Sequence, residues 1–222
     1  MIIKLSLLFT LIIWAISYYF HRCYIQIQKK LHQQPSPIPN QLEPVLKKFL
    51  LHYQLENLPL KLNPTYRGTY FNPKTKSLYV HQLIEPCTFA KSYALHEAAH
   101  AIQFIQNKST VIQRKFTQLL YTYTPAWTSI LIILSFITFK LPPRYLFILL
   151  PLVLLLLMIL QASTILTEFK ANQIVLNYIK NEIPLSENQL SILKRSLRAC
   201  IYKELGALSQ TFHHFFFTFF NK

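Results

Sequence analysis

Two histidines four residues apart, with a glutamate beside the first, form the segment His96-Glu97-Ala98-Ala99-His100. On a helix, side chains four apart share a face. The two imidazoles can therefore bind one metal ion, and Glu97 can polarise the water at its open position. The pattern H-E-x-x-H is a zinc-protease signature. With eight His and eight acidic residues in 222, a chance match has a likelihood of about one in a hundred, so the surrounding chain has to decide.

A zinc protease holds its metal with three protein ligands and keeps a fourth position open. The extended motif H-E-x-x-H-x-x-G-x-x-H is missing, since Gln106 and Asn107 occupy that region. A glutamate distant in sequence is then the expected third ligand, and Glu168 is the best placed. Gln103 falls on the same helix side as the two histidines, and Asn172 shares the helical face of Glu168. Either can hydrogen-bond a ligand imidazole. Tyr66, Tyr70 and His81 are of the right type to stabilise an oxyanion. Glu182, Glu187 and Glu204 read as solvated charges, and His213 and His214 as interfacial aromatics.

The elements that must position these groups follow from pattern. Thr88 is the expected N-cap of a helix running to about Asn107 that carries the motif. Ala94, Ala98, Ala99 and Ala101 make it slim, and Leu95, Ile102 and Ile105 can pack away from the metal face. Upstream, Val45–Leu55 reads as a short amphipathic helix. Asn72-Pro73-Lys74-Thr75 is turn chemistry, and Ser77–His81 is a short strand. Downstream, Thr167 begins a helical stretch to about Lys180. Pro184 breaks the chain, and Ser186 starts a basic helix with Leu190, Leu193, Leu197 and Ile201 along one face.

Composition adds the setting. The chain is 52% hydrophobic with a net charge of +15, a balance that suits a membrane surface or cytoplasmic loops of a membrane protein. No nucleic-acid motif is visible and the basic residues are scattered, so nucleic acid is not an expected partner. Cys23, Cys87 and Cys200 are too far apart for a C-x-x-C pair and are odd in number, which gives neither a disulfide framework nor a thiolate zinc site. Leu5–Phe20 is apolar and followed by His21 and Arg22, which favours a retained anchor over a signal peptide. Pro125–Phe139 and Tyr145–Leu166 are further apolar runs, joined by Lys140-Leu141-Pro142-Pro143-Arg144. Two prolines forbid one continuous helix, so the expected form is a hairpin in the bilayer, with Pro151 able to kink its second arm. A hairpin goes out and returns, which puts Glu168 on the same side as His96 and His100. The Phe-rich tail from Phe212 to Phe220 is too short to span alone.

The expected organisation is an anchor over 1–22, a Pro-rich linker over 23–44 and a catalytic part over 45–118. A transmembrane hairpin over 119–166 follows, then 167–222 with the third-ligand helix and a membrane-associated C-terminal helix. Basic residues near the spans (Arg22, Lys29, Lys30, Lys108, Arg114, Lys115, Lys170 and Lys180) mark the side of the active site as cytoplasmic. Lys140 and Arg144 in the hairpin turn argue the other way.

Ala94-Leu95-His96-Glu97-Ala98-Ala99-His100-Ala101-Ile102-Gln103 resembles the H-E-x-G-H-A-x-Q block of the bacterial YugP-like family of neutral membrane zinc metallopeptidases. Tyr70–Leu78 is similar to that family's D-H-Y-D-P-x-x-K-x-L stretch, and Glu168-Phe169-Lys170-Ala171-Asn172 to its E-F-D-A-S block. The stretch Leu193–Leu208 is similar to the closing helix, so the resemblance covers nearly the whole chain. It departs at Ala99, which stands for Gly, at Thr69, Tyr70 and Asn72, which stand for Asp, His and Asp, and at Lys170, which stands for Asp. The resemblance implies a zinc-dependent endopeptidase in the bacterial inner membrane, multi-pass, acting on an unassigned peptide or protein.

The expected fold class is mainly α: an integral-membrane zincin-like metallopeptidase with an anchor helix, a small helical catalytic domain and a transmembrane hairpin. The expected cofactor is Zn²⁺, bound by His96, His100 and Glu168, with Glu97 as general base. Two other classes compete: a non-catalytic membrane scaffold that keeps the zinc site, and a membrane-surface binding protein driven by the basic C-terminal helix and Phe tail.

Overall fold

The computed structural model describes the chain apart from residues 1, 35, 39–40, 64–68, 82–86, 108, 110, 121–122, 124–142, 208 and 210–222. It is mainly helical. The elements in order are α1 (Ile2–His32), α2 (Leu42–His52), β1 (Leu60–Asn63), β2 (Tyr70–Asn72), β3 (Ser77–His81), α3 (Thr88–Gln106), α4 (Pro143–Glu182) and α5 (Glu187–Leu205). Residues 111–120 are also helical. Contacts divide the chain into two units: one holds 24–113 and 166–201, the other 1–23, 114–165 and 202–222.

The first of these units carries the motif. Its core gathers Leu46, Phe49 and Leu50 of α2, Leu95 and Ile102 of α3, Val175 and Ile179 of α4, and Leu193 and Leu197 of α5, each at most 2% exposed. Burying one such side chain stabilises by roughly 1.5–3 kcal/mol. Leu193 and Leu197 are buried as the periodicity predicts, while Ile105 is exposed. The three-stranded sheet has the order β1-β3-β2. β3 pairs parallel with β1 (Leu60↔Leu78) and antiparallel with β2 (Phe71↔Leu78), so β2 is an edge strand. Strand β3 falls where the sequence predicts. β1 and β2, at four and three residues, are too short to show a period and were not expected.

Two helix ends differ from expectation by a local cause, and a third falls where expected. Helix α2 spans Leu42–His52 rather than 45–55, because the chain leaves the helix at Gln54 with φ 59°. The amides of Gln54 and Leu55 then donate to Leu51 O and Leu50 O, which is the Schellman arrangement. Helix α3 is capped by Cys87, not Thr88: the Cys87 Sγ accepts from the Ala90 amide, and Thr88 Oγ1 donates to Gln34 O. Ser186 does begin α5, as one half of a capping box with Gln189: the Gln189 amide donates to Ser186 Oγ and the Ser186 amide to Gln189 Oε1.

The N-terminal run forms α1, whose Leu5, Leu8, Phe9, Leu11, Ile12, Trp14 and Ile16 are exposed. That helix continues to His32, so residues 23–32 of the expected linker are helical. Ile38, in the proline-rich stretch, is 1% exposed and sits in the core, and Lys91 Nζ donates to its carbonyl. This stretch is therefore docked on α3. Among the described residues, one helix is long and apolar enough to cross a membrane: Pro151–Glu182, of 32 residues, with mean hydropathy 2.1 over its most apolar window. Helix α4 runs unbroken through Pro151. The first arm of the expected hairpin and the Phe-rich tail lie outside the described residues.

The second unit has its own buried polar cluster. Glu204, expected as a solvated charge, is 5% exposed. Its carboxylate meets Arg114 Nη2 at 3.8 Å and accepts from Gln118 Nε2 at 3.2 Å, and Gln161 Nε2 donates to its backbone carbonyl. A carboxylate so buried is shielded from solvent, and Arg114 and Gln118 partner it instead. At Gly206, an added Cβ would meet the His21 backbone N and Cα at 2.7 Å. Only glycine allows so close a crossing.

Candidate metal centre

Helix α3 is buried nearly all round. Ala94, Ala98, Ala99 and Ala101 are at 0% exposure, which lets α2, α4, α5 and the sheet close on it. The motif therefore lies inside the unit, with His96, Glu97 and His100 between 0 and 2% exposed.

The two imidazoles converge, with His96 Nε2 and His100 Nε2 3.1 Å apart. Glu168, on α4 and 1% exposed, brings Oε2 to 2.8 Å from His96 Nε2 and Oε1 to 3.4 Å from His100 Nε2. Tetrahedral zinc with bonds of about 2.0–2.1 Å places its ligand atoms about 3.3 Å apart, and the three separations bracket that value. Burial and these contacts show that Glu168 is not a solvated charge. The ligand atoms of His96, Glu97 and His100 also lie within 4.8 Å of one another. Glu97 Oε2 accepts the Phe71 amide of β2 at 3.1 Å, which anchors the carboxylate beside the histidines.

Two side-chain amides fix what the imidazoles present. Asn172 Nδ2 donates to Leu197 O at 2.9 Å, so its Oδ1 faces His96 Nδ1 at 2.8 Å. Gln103 Nε2 donates to Thr167 O at 2.8 Å, so its Oε1 faces His100 Nδ1 at 2.8 Å. A backbone carbonyl only accepts, which settles the orientation of each amide, and an amide oxygen only accepts, which puts each imidazole proton on Nδ1. Both Nε2 lone pairs then point to one place, where a carboxylate also points. Three acceptors at one point fit a cation, and the imidazole–carboxylate donor set fits zinc.

A family model described as "putative neutral zinc metallopeptidase" matches residues 4–215. The chain belongs to that family. No curated protein and no solved structure matches it. The family's metal is zinc, and zinc is the cofactor of this metallopeptidase family member. Its departures from the family pattern do not touch the convergent atoms: Asn72 Oδ1 accepts the Lys74 amide in a turn, Lys170 is exposed, and Ala99 is packing.

Sequence reasoning named His96, Glu97, His100, Glu168, Gln103 and Asn172, and the structure brings all six into one cluster. It missed the Phe71 amide, because a backbone donor leaves no mark in residue types. Of the oxyanion candidates, Tyr70 stacks on Tyr79 at 4.9 Å. Tyr66 and the side chain of His81 lie outside the described residues.

Proposed function

We propose that the protein is a membrane-anchored zinc endopeptidase in which His96, His100 and Glu168 hold the metal and Glu97 is the general base. The support is the convergence of two Nε2 lone pairs and one carboxylate, with both imidazole tautomers fixed by Asn172 and Gln103, beside the carboxylate of Glu97. When bound, zinc supplies a Lewis acid that acidifies water and polarises the scissile carbonyl. Glu97 takes a proton from the attacking water and passes it to the leaving amine. The Phe71 amide holds one oxygen of that carboxylate so that it need not reorient between the two transfers. Asn172 and Gln103 keep the imidazoles from rotating off the metal. Burial excludes bulk water and strengthens each of these interactions.

The membrane setting is part of the proposal. The 32-residue apolar helix Pro151–Glu182 carries Glu168, and α1 exposes a run of large apolar side chains. A multi-pass chain in the bacterial inner membrane, with the centre on the cytoplasmic side, accounts for both and for the basic residues near them.

The test is zinc content and cleavage of casein by the purified protein, beside Glu97→Gln. The expected result is one zinc per chain in both forms and cleavage only in the wild type, with the variant slower by on the order of 10³-fold. Stoichiometric zinc without cleavage in either form would favour the non-catalytic scaffold.

A further inference from the structure

A cavity of about 610 Å³ opens in the same unit as the metal centre. Its apolar walls are Leu55, Leu58, Phe71, Phe104 and Ile105. This is within the range of sites that hold small ligands, about 300–1,000 Å³, and gives room for a large apolar side chain and part of its neighbour.

Two walls tie the cavity to the centre. Phe71 gives its amide to the Glu97 carboxylate and its ring to the cavity. Phe104 packs against that ring with centroids 5.6 Å apart, and it follows Gln103, which holds His100. The solvent side carries Gln54 and Lys76, both exposed. These are the two non-glycine residues with positive φ, 59° and 46°, among the described residues. Glycine would fill both positions at less cost. The Gln54 amide and the Lys76 ammonium give this side of the cavity hydrogen-bond donors.

We propose that this cavity is a specificity site for the peptide substrate, which takes a large apolar side chain (Leu, Ile, Phe or Met). The inference rests on the peptidase reading above. Its occupant is a peptide side chain because the cavity shares Phe71 with the base, and because Gln54 and Lys76 offer hydrogen bonds that suit a main chain.

Binding separates this inference from the reading it rests on. Zinc-loaded full-length Glu97→Gln in detergent would be titrated by calorimetry with matched decapeptides that carry Leu, Phe, Ala or Asp at one central position. The Leu and Phe peptides are expected to bind at least about tenfold more tightly than the Ala peptide. Ile105→Arg, at an exposed wall position in the last turn of α3 where a cation suits the helix end, is expected to erase that preference with zinc content unchanged. Leu58→Trp, which fills the cavity, should do the same. Equal binding of all four peptides would overturn the inference, as would a preference that survives both variants or a phospholipid held in the cavity that no peptide displaces. A wild type that binds with the apolar preference yet cuts none of these peptides would sink the peptidase reading and leave the cavity as an apolar peptide-binding site.

Discussion

Glu204 and Glu168 are both buried carboxylates, 5% and 1% exposed, but their surroundings differ in sign. Around Glu204 the chain supplies its own cation: Arg114 stands at 3.8 Å and Gln118 donates a hydrogen bond. Around Glu168 it supplies two imidazole Nε2 atoms whose protons have been moved to the far side of each ring by Asn172 and Gln103. The first cluster is complete as it stands. The second gathers one carboxylate and two imidazoles, the set that the proposed zinc site uses. Burial of a glutamate is therefore not the sign of a site. What distinguishes a site is the kind of partner the fold has withheld.

The largest effect that probes this contrast is on stability. Glu204→Ala leaves Arg114 buried beside a missing partner and is expected to cost about 3–5 kcal/mol in denaturant unfolding. Glu168→Ala, compared with the wild type in zinc-free protein, is expected to cost less, because it leaves no guanidinium buried without its partner. Equal losses in the two variants would erase the distinction between the clusters.

Next in size is the fixing of the imidazoles. Asn172→Ala frees His96 Nδ1 from its acceptor and is expected to weaken zinc binding about 10–100-fold, measured by competition with a chromophoric chelator. An affinity equal to that of the wild type would mean that the amide relay is ornamental. A comparable effect, of about 1–3 kcal/mol, is expected from Gly206→Ala in thermal unfolding, because the added methyl meets the backbone of His21, which cannot turn aside. Zinc content should stay at the wild-type value, since the substitution lies in the other unit.

The smallest effect belongs to Lys91. Burial holds its ammonium below the ordinary lysine range, against a smaller opposing influence of Cys87. Between that lowered value and about 10.4, the unfolded chain binds more protons than the folded one, so this residue makes stability rise with pH. Burial of Tyr53 and Tyr178 raises both phenols, which works in the opposite direction above the free tyrosine value of about 10. Denaturant unfolding of the wild type and Lys91→Met at about pH 8 and about pH 9.5 stays below that. The gain on going to the higher pH is expected to be smaller in the variant. An identical gain would show that Lys91 titrates alike in both states.

How far the sequence carries can be seen at particular residues. The motif helix, β3 and the start of α5 were readable because each has a local signal: a spacing of four, a β-prone run after a turn, and a serine after the helix-breaking Pro184. Glu168 was readable because the hairpin argument gave it a side of the membrane and the motif gave it a role to fill. The Phe71 amide, the edge strand that carries it and the docking of Ile38 were not, since backbone donors and three-residue strands have no compositional mark. Cys87 displaced Thr88 as the cap because a thiol can accept the Ala90 amide while Thr88 turns to Gln34. The reading of Glu204 as solvated failed for a related reason: its cation lies 90 residues away in the sequence, and only the fold brings the two together.

The central claim is that the chain withholds a cation from one carboxylate and two imidazoles so that zinc can supply it. Zinc per chain, measured by mass spectrometry on purified wild type, Glu97→Gln and Glu168→Gln, tests it most directly. The account predicts one zinc in the first two and its loss from the third under dialysis that leaves the wild type loaded. Full zinc retention by Glu168→Gln, or zinc lost from Glu97→Gln instead, would contradict it.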